Sequence, residues 1–339
     1  MHERLRLLLI RPEGSDPSPL DQAQGARLAA LHGPARELAD LEEDSFERGD
    51  LGDLERKLHR WAGRVCGVVG ATSVPEATRL GQLAESLNML CLVANNNPSV
   101  CQRRRHVFYI GLPSRQTAMA VAQALQSAGY RRIFLLHDET EFQSRVAANM
   151  VTALEKNDIQ VISKSGSELS WPDEMRCWRP ELCYLIYSDE KRALPMVRLV
   201  RGVEPGSALL LGRSLLRSSF IVSLSAADAE GVLFVDLFRR DQQESTQMVE
   251  FTRALFQAGV DCPTANHGFG WDAMTLCSVA LSKGGAPLYG IEYLESGVLL
   301  EGVTGQFRFS RENHNGREGP GPTRISRWRN GRMREVDHV

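Results

Sequence analysis

The sequence predicts an α/β protein of two similar lobes, each a mainly parallel sheet flanked by helices. Three observations predict it. Apolar runs of strand length alternate with longer runs of helical period along most of the chain. That rhythm restarts once, between residues 106 and 137. The length, 339 residues with 42% hydrophobic and 24% charged content, suits two globular lobes better than one core.

The elements follow in order. Leu5 to Ile10 reads as a strand and Leu20 to Leu31 as a helix with apolar residues at 20, 23, 28 and 31. Arg36 to Leu41 is a weaker strand, and Leu51 to Trp61 carries a helical stripe at 51, 54, 58 and 61. Val65 to Val69 is a buried strand, Pro75 to Leu87 a helix and Met89 to Val93 a strand. After the strand His106 to Ile110 the rhythm restarts with a helix at Gln116 to Ala128 and a strand at Arg132 to His137. A helix at Glu141 to Lys156 and strands at Ile159 to Ser163 and Leu182 to Tyr187 come next. Ser165 to Pro180, with Trp171 and Trp178, reads as a polar loop between those strands. Lys191 to Arg201 is a helix, Ala208 to Leu211 a strand, Val232 to Phe238 strand-like and Thr246 to Ala258 a helix. A further helix opens at Gly270 and runs to about Ser282. Gly305 to Phe309 and Arg324 to Trp328, around Asn313 to Gly316, read as short antiparallel strands with turns.

Charge and motifs exclude several functions. Forty Lys and Arg against 42 Asp and Glu leave no electrostatic footprint for nucleic acid. Basic clusters at 103–105, 131–132, 239–240 and 324–334 are short and interrupted, which reads as solvated surface. No apolar run approaches the ~20 residues that span a bilayer. The four apolar residues Leu7 to Ile10 are too few for the core of an export signal. Nucleophile-elbow, P-loop, dinucleotide and zinc-protease motifs are missing from the sequence, and its eight His are scattered without metal-ligand spacing. No cofactor, metal or catalytic residue is expected. The cluster from His137 to Glu141 reads as the acidic start of a helix rather than as an acid–base pair. The seven Cys cannot all pair, and Cys177 with Cys183 is the pair most easily imagined as bridged. Thiol-rich composition leans toward a reducing compartment.

Four local patterns then carry a resemblance. They are Val68-Val69-Gly70-Ala71-Thr72-Ser73; Tyr130 to Asp138, a basic pair leading into an apolar strand that ends on Asp; Gly270-Trp271-Asp272-Ala273-Met274; and Gly302-Val303-Thr304-Gly305-Gln306-Phe307-Arg308-Phe309. In register over nearly the whole chain, they make it resemble the type I periplasmic binding proteins. The resemblance is to the branch of ABC-transporter solute receptors that bind branched-chain amino acids and amides. It implies a three-strand hinge, a ligand cleft between the lobes that closes on a small molecule, and delivery to an ABC permease. It also implies discontinuous lobes, placed here at 1–112 plus 237–292 and at 113–236 plus 293–339, with Gly111 to Ser114 as a crossover. The location it implies is periplasmic if Met1 replaces a removed export signal; a chain native as it stands would be cytoplasmic. A cytoplasmic sensor, similar to amide-responsive regulators of a partner protein, is the alternative within the same fold.

Candidate ligand residues come from the residues and from that match together. Thr72 and Ser73 precede Pro75 at a helix start, where free amides and a helix dipole favour an acceptor. Asn95 and Asn97 flank a run of three amides after the next strand. Ser18 lies after the first strand, where the family often carries an aromatic residue. In the second lobe, Phe142 matches an aromatic residue that closes over the ligand, and Tyr187, Ser188 and Asp189 end a strand. Arg213 stands near where amino-acid-binding members place an acid for the ligand's ammonium. A guanidinium there favours a neutral or anionic organic ligand over a plain amino acid. His267 and Trp271 read as structural or rim residues.

Overall fold

The computed structural model describes residues 4–14, 17–70, 73–95, 97–236, 245–260, 263–283, 286–318, 323–330 and 332–335. The chain forms two compact units, 1–113 with 243–321 and 114–242 with 322–339, and passes between them three times.

In the first unit the order is β1 (Leu5–Pro12), α1 (Pro17–His32), β2 (Ala39–Phe46), α2 (Leu51–Trp61), β3 (Gly67–Gly70), α3 (Val74–Ser86), β4 (Leu90–Val93) and β5 (Val107–Tyr109). The second unit follows with α4 (Ser114–Ser127), β6 (Arg132–His137), α5 (Glu141–Glu155), β7 (Gln160–Ser165), α6 (Trp171–Trp178), β8 (Leu182–Ile186) and α7 (Glu190–Val203). It continues through β9 (Ala208–Leu211), α8 (Ser218–Ser223), α9 (Ala226–Ala229) and β10 (Leu233–Asp236). The chain returns to the first unit for α10 (Thr246–Gln257), α11 (Ala265–Ser282), α12 (Pro287–Glu295), β11 (Ser296–Gly302) and β12 (Gly305–Ser310). It ends in the second with β13 (Arg324–Arg329) and β14 (Arg332–Glu335).

Both units build the same parallel core. The first sheet has the order β2-β1-β3-β4-β5. The second runs β14-β13-β10-β9-β8-β6-β7, so its parallel part repeats the first sheet's order, with two antiparallel strands added beyond β10. Inner strands such as Leu-Cys-Leu-Val in β4 and Leu-Cys-Tyr-Leu-Ile in β8 are buried throughout, because helices cover both faces of a parallel sheet. One core gathers Leu8, Ile10, Val68, Cys91 and Val93 under Leu54, Leu58, Leu80 and Leu83. Its counterpart gathers Ile133, Leu135, Tyr184 and Leu210 under Val121, Leu125, Met150 and Leu154. Local signals fix the helix starts. Asp50 caps α2 by accepting from the amides of Gly52 (2.8 Å) and Asp53 (2.9 Å), and Thr140 caps α5.

Several expectations need correction. The expected loop from Ser165 to Pro180 contains α6, in which Trp171 and Met175 are buried one turn apart and Asp173 and Glu174 occupy the first turn. Arg36 to Leu41 is split: a 3-10 turn occupies Pro34–Glu37, and the strand starts at Ala39. Its acid-rich sequence suits a sheet edge and hides the strand from a search for apolar runs. α11 starts at Ala265 rather than Gly270, since glycine there serves packing. A Cβ on Gly270 would stand 1.9 Å from the Gln22 carbonyl of α1. α12 and β11 were not expected, and β11 pairs antiparallel with β12. The stretch 293–321, expected in the second lobe, packs in the first unit, where β12 contributes buried Phe307 and Phe309. β12 and β13, both expected as short antiparallel strands, belong to different units. Cys177 and Cys183 are both free thiols, one exposed on α6 and the other buried in β8.

Candidate functional site

Parallel sheets bind ligands outside the carboxyl ends of their strands, at the point where strand order reverses. Here that point lies between β1 and β3 in the first unit and between β6 and β8 in the second. The sequence candidates fall on the loops that follow these strands and their neighbours.

In the first unit, β3 ends on Gly70, whose φ of +143° and a Cβ position 1.9 Å from the Ile10 carbonyl admit no side chain. Thr72 lies outside the described residues. Ser73 is the N-cap of α3, its hydroxyl accepting from the Glu76 amide at 3.3 Å. Asn95 follows β4. Its Oδ1 accepts from the Asn97 amide (2.8 Å), and its carbonyl accepts from the Tyr109 hydroxyl (2.8 Å). Asn95 Nδ2 is buried with no hydrogen-bond partner among the described residues, a costly state for an amide donor. Asn97 Oδ1 accepts from the Ser99 amide (3.0 Å), capping the 3-10 turn Pro98–Cys101. Ser18 stands in the first turn of α1, half-buried. This edge thus offers donors: one amide nitrogen and the helix start beyond Ser73.

The second unit differs. Asp138, buried after β6, accepts on Oδ1 from the Thr140 amide (3.1 Å) and hydroxyl (2.6 Å). Its Oδ2 accepts from the Ser188 amide and hydroxyl, each at 3.4 Å. One carboxylate therefore ties the loop after β6 to the loop after β8. Ser188 is exposed, and with its proton directed to Asp138 it turns lone pairs outward. Asp189, also exposed, caps α7 by accepting from the Lys191 amide at 2.8 Å. Tyr187 is buried at 4% exposure, with its hydroxyl against Gly166, and burial pushes its pKa up to about 12. Phe142, in the first turn of α5, is 36% exposed, and the Arg145 guanidinium lies 5.9 Å from its ring. A core anchor would not be so open. Arg213 opens a 3-10 turn two residues beyond β9, near enough to Tyr184 for its charge to oppose the rise that burial imposes on that hydroxyl.

Sequence reasoning took Asp138 as the end of an apolar strand and as part of an acidic helix start, and missed its bridge to Ser188. The one available signal was a carboxylate ending an apolar strand. A second network, also missed, unites two of the quoted motifs. Asp272 of α11 is fully buried and accepts from the amides of Val303 (2.7 Å) and Thr304 (2.9 Å) and from the Thr304 hydroxyl. Buried Arg317 donates to the carbonyls of Gly111 (2.9 Å), Ile110 (2.7 Å) and Thr304, over the Phe307 ring at 4.8 Å. Burial raises the Asp272 carboxyl to about 6, against the opposing pull of those bonds and of Arg317. These motifs are structural. His267 is structural too: its Nδ1 accepts from the Thr264 amide (3.1 Å), and Nε2 faces Gln24 Oε1 (3.2 Å). Trp271 is wholly buried, edge-on to Phe251.

Among the described residues, no group of three or more His, Cys, Asp or Glu is arranged to hold a metal ion. No described helix is long and apolar enough to cross a membrane.

No protein-family model matches the chain, and no curated protein matches its sequence. Solved structures match it end to end. The chain is similar to an ABC transporter substrate-binding protein of Desulfitobacterium hafniense in complex with Leu, at 17% identity and a TM-score of 0.77 over 98% of this chain and 100% of that one. The chain has the type I periplasmic-binding fold. A leucine-binding protein of Thermotoga maritima superposes with the same TM-score of 0.77 at 16% identity, over 98% of this chain and 97% of the other. A solute-binding protein of R. palustris in complex with benzoate gives 0.75 at 15% identity, over 98% and 96%. The fold expected from the four sequence patterns is therefore borne out.

Proposed function

We propose that this protein is a solute-binding receptor, which holds a small organic molecule without transforming it and delivers it to an ABC-type permease. The observation that carries the reading is Asn95: a buried amide donor without a partner among the described residues, at the strand end beside the reversal of the first sheet. A ligand acceptor satisfies it. Support also comes from the substrate-binding proteins that share the fold and from the absence of catalytic motifs in the sequence.

In this reading Ser73, Asn95 and Asn97, with Thr72 and Ser18 beside them, hold the ligand's acceptor end. Phe142, Tyr187, Ser188, Asp189 and Arg213 hold the remainder. A neutral or anionic organic molecule is the favoured ligand, because Arg213 stands near the position where an acid would hold an ammonium. Closure of the two lobes on the ligand accompanies binding.

Native mass spectrometry of the purified protein, followed by a thermal-shift panel of leucine, isoleucine, benzoate and acetamide, tests this. Expected are a carried small molecule or a stabilising one, worth about 2.7 kcal/mol at 100 times its Kd, and loss of about tenfold or more in affinity in Asn95→Ala. Neither a carried molecule nor a shift with any of the four would count against the receptor reading. A strong shift with leucine but none with benzoate or acetamide would overturn the assignment of ligand charge.

A further inference from the structure

The last hairpin, β13 and β14, is assembled against its own electrostatics. Its register sets Arg327 opposite Arg334. Like charges directly across an antiparallel pair destabilise it. Arg327, Arg329 and Arg334 share one face by strand alternation. Arg329 and Arg334 are exposed, and Arg327 is partly buried with its Nε unpartnered. Among the described residues none of the three forms an ion pair. The acid at the turn, Glu230, spends a carboxylate oxygen on the Asn330 amide at 3.1 Å. Tyr130 lies close enough to feel both Arg327 and Glu181, but Glu181 already accepts from the amides of Arg131 and Arg132 (3.1 Å for the latter) and faces the Arg132 side chain at 3.8 Å.

β14 is also the terminal strand of its sheet among the described residues, so one side of its backbone carries unpaired N–H and C=O groups. Basic residues commonly guard such an edge against self-association. Guarding explains charge on β14; it does not explain why β13 repeats that charge in register, at a cost to the hairpin. Sequence alone reads this segment as solvated surface, and the register alters that reading.

We propose that the β13–β14 edge is a docking site for an acidic, extended segment of a partner protein, which adds as a strand to β14. Backbone hydrogen bonds supply the strand pairing, and carboxylates at alternate positions meet the arginine face and relieve its repulsion. An unpaired edge favours a polypeptide over a lipid surface or a nucleic acid, which use the charge but not the backbone. This is independent of the solute-binding role.

The test is fluorescence anisotropy of a short labelled peptide of alternating Glu and Thr, titrated with the full chain. Expected is saturable binding that weakens about tenfold in Arg334→Glu and is lost when alternate peptide nitrogens are methylated. The melting temperature of Arg334→Glu, which turns one like-charged pair into an opposite-charged one, should stay level or rise, so weakened binding in that variant is not lost folding. The proposal fails if the peptide does not bind, or if Arg334→Glu binds it equally well. It also fails if the methylated peptide binds as tightly, or if phosphatidylglycerol vesicles or a single-stranded oligonucleotide bind in place of the peptide.

Discussion

The two units share a strand order and differ in what they place at the strand ends. The first presents donors there, the Asn95 amide and the start of α3 behind Ser73. The second presents acceptors, the Ser188 lone pairs and Asp189, with Arg213 as the positive exception. Topology sets where polar groups emerge; the residues after each strand set their polarity. A second difference lies away from those ends. The first unit is locked by a buried ion network inside it, whereas the second extends its sheet with a charged antiparallel hairpin.

The largest expected effect breaks the first unit's lock. Asp272→Ala leaves the buried Val303 and Thr304 amides without the carboxylate they bond and removes the charge that Arg317 faces. Chemical denaturation should show a loss of about 3–5 kcal/mol, and a loss under about 1 kcal/mol would show the network to be dispensable. The same carboxyl gives a pH signature. Its folded pKa, raised to about 6 from 3.8, lies above the unfolded value. The folded state therefore holds the extra proton between those values, and stability from this group falls as pH rises through that window. Relative to Asp272→Asn, the slope should approach about 1.4 kcal/mol per pH unit. A flat difference between pH 4 and 6 would contradict the raised value.

A smaller effect is expected in the second unit. Asp138→Ala should cost about 2 kcal/mol and speed amide hydrogen exchange in both the 139–142 and 187–190 segments, while Ser188→Ala should loosen only the latter. Faster exchange in one segment with Asp138→Ala would mean that the carboxylate does not couple them. Ser73→Ala, which removes a single helix cap, should cost about 1 kcal/mol. If it costs as much as Asp138→Ala, the contrast between the units is misdrawn.

Much of the fold was legible because its signals are local. α2 and β6 have the bounds that periodicity and apolar run length predict. The caps at Asp50, Ser73 and Thr140 depend on neighbours three residues away. What escaped was set by distant partners or by masking residues. α6 is only eight residues long, and its Pro172 and acidic first turn resemble a loop. Gly268 and Gly270 concealed the first turns of α11, because contact with α1 outweighs glycine's poor helix propensity. At the candidate site, the types and positions of Ser73 and Asn95 could be read from sequence. The bridge from Asp138 to Ser188 spans 50 residues and could not.

Arg317 has a consequence for how the chain is made. It closes the carbonyls of Ile110 and Gly111, and the Tyr109 amide likewise donates to the His314 carbonyl, so β5 is complete only once residues near 315 are present. A ribosome delivers the first 113 residues long before then, and delivers 114–242 in one uninterrupted piece. Until those residues arrive β5 lacks the partners that His314 and Arg317 supply, just as β10 waits for β13.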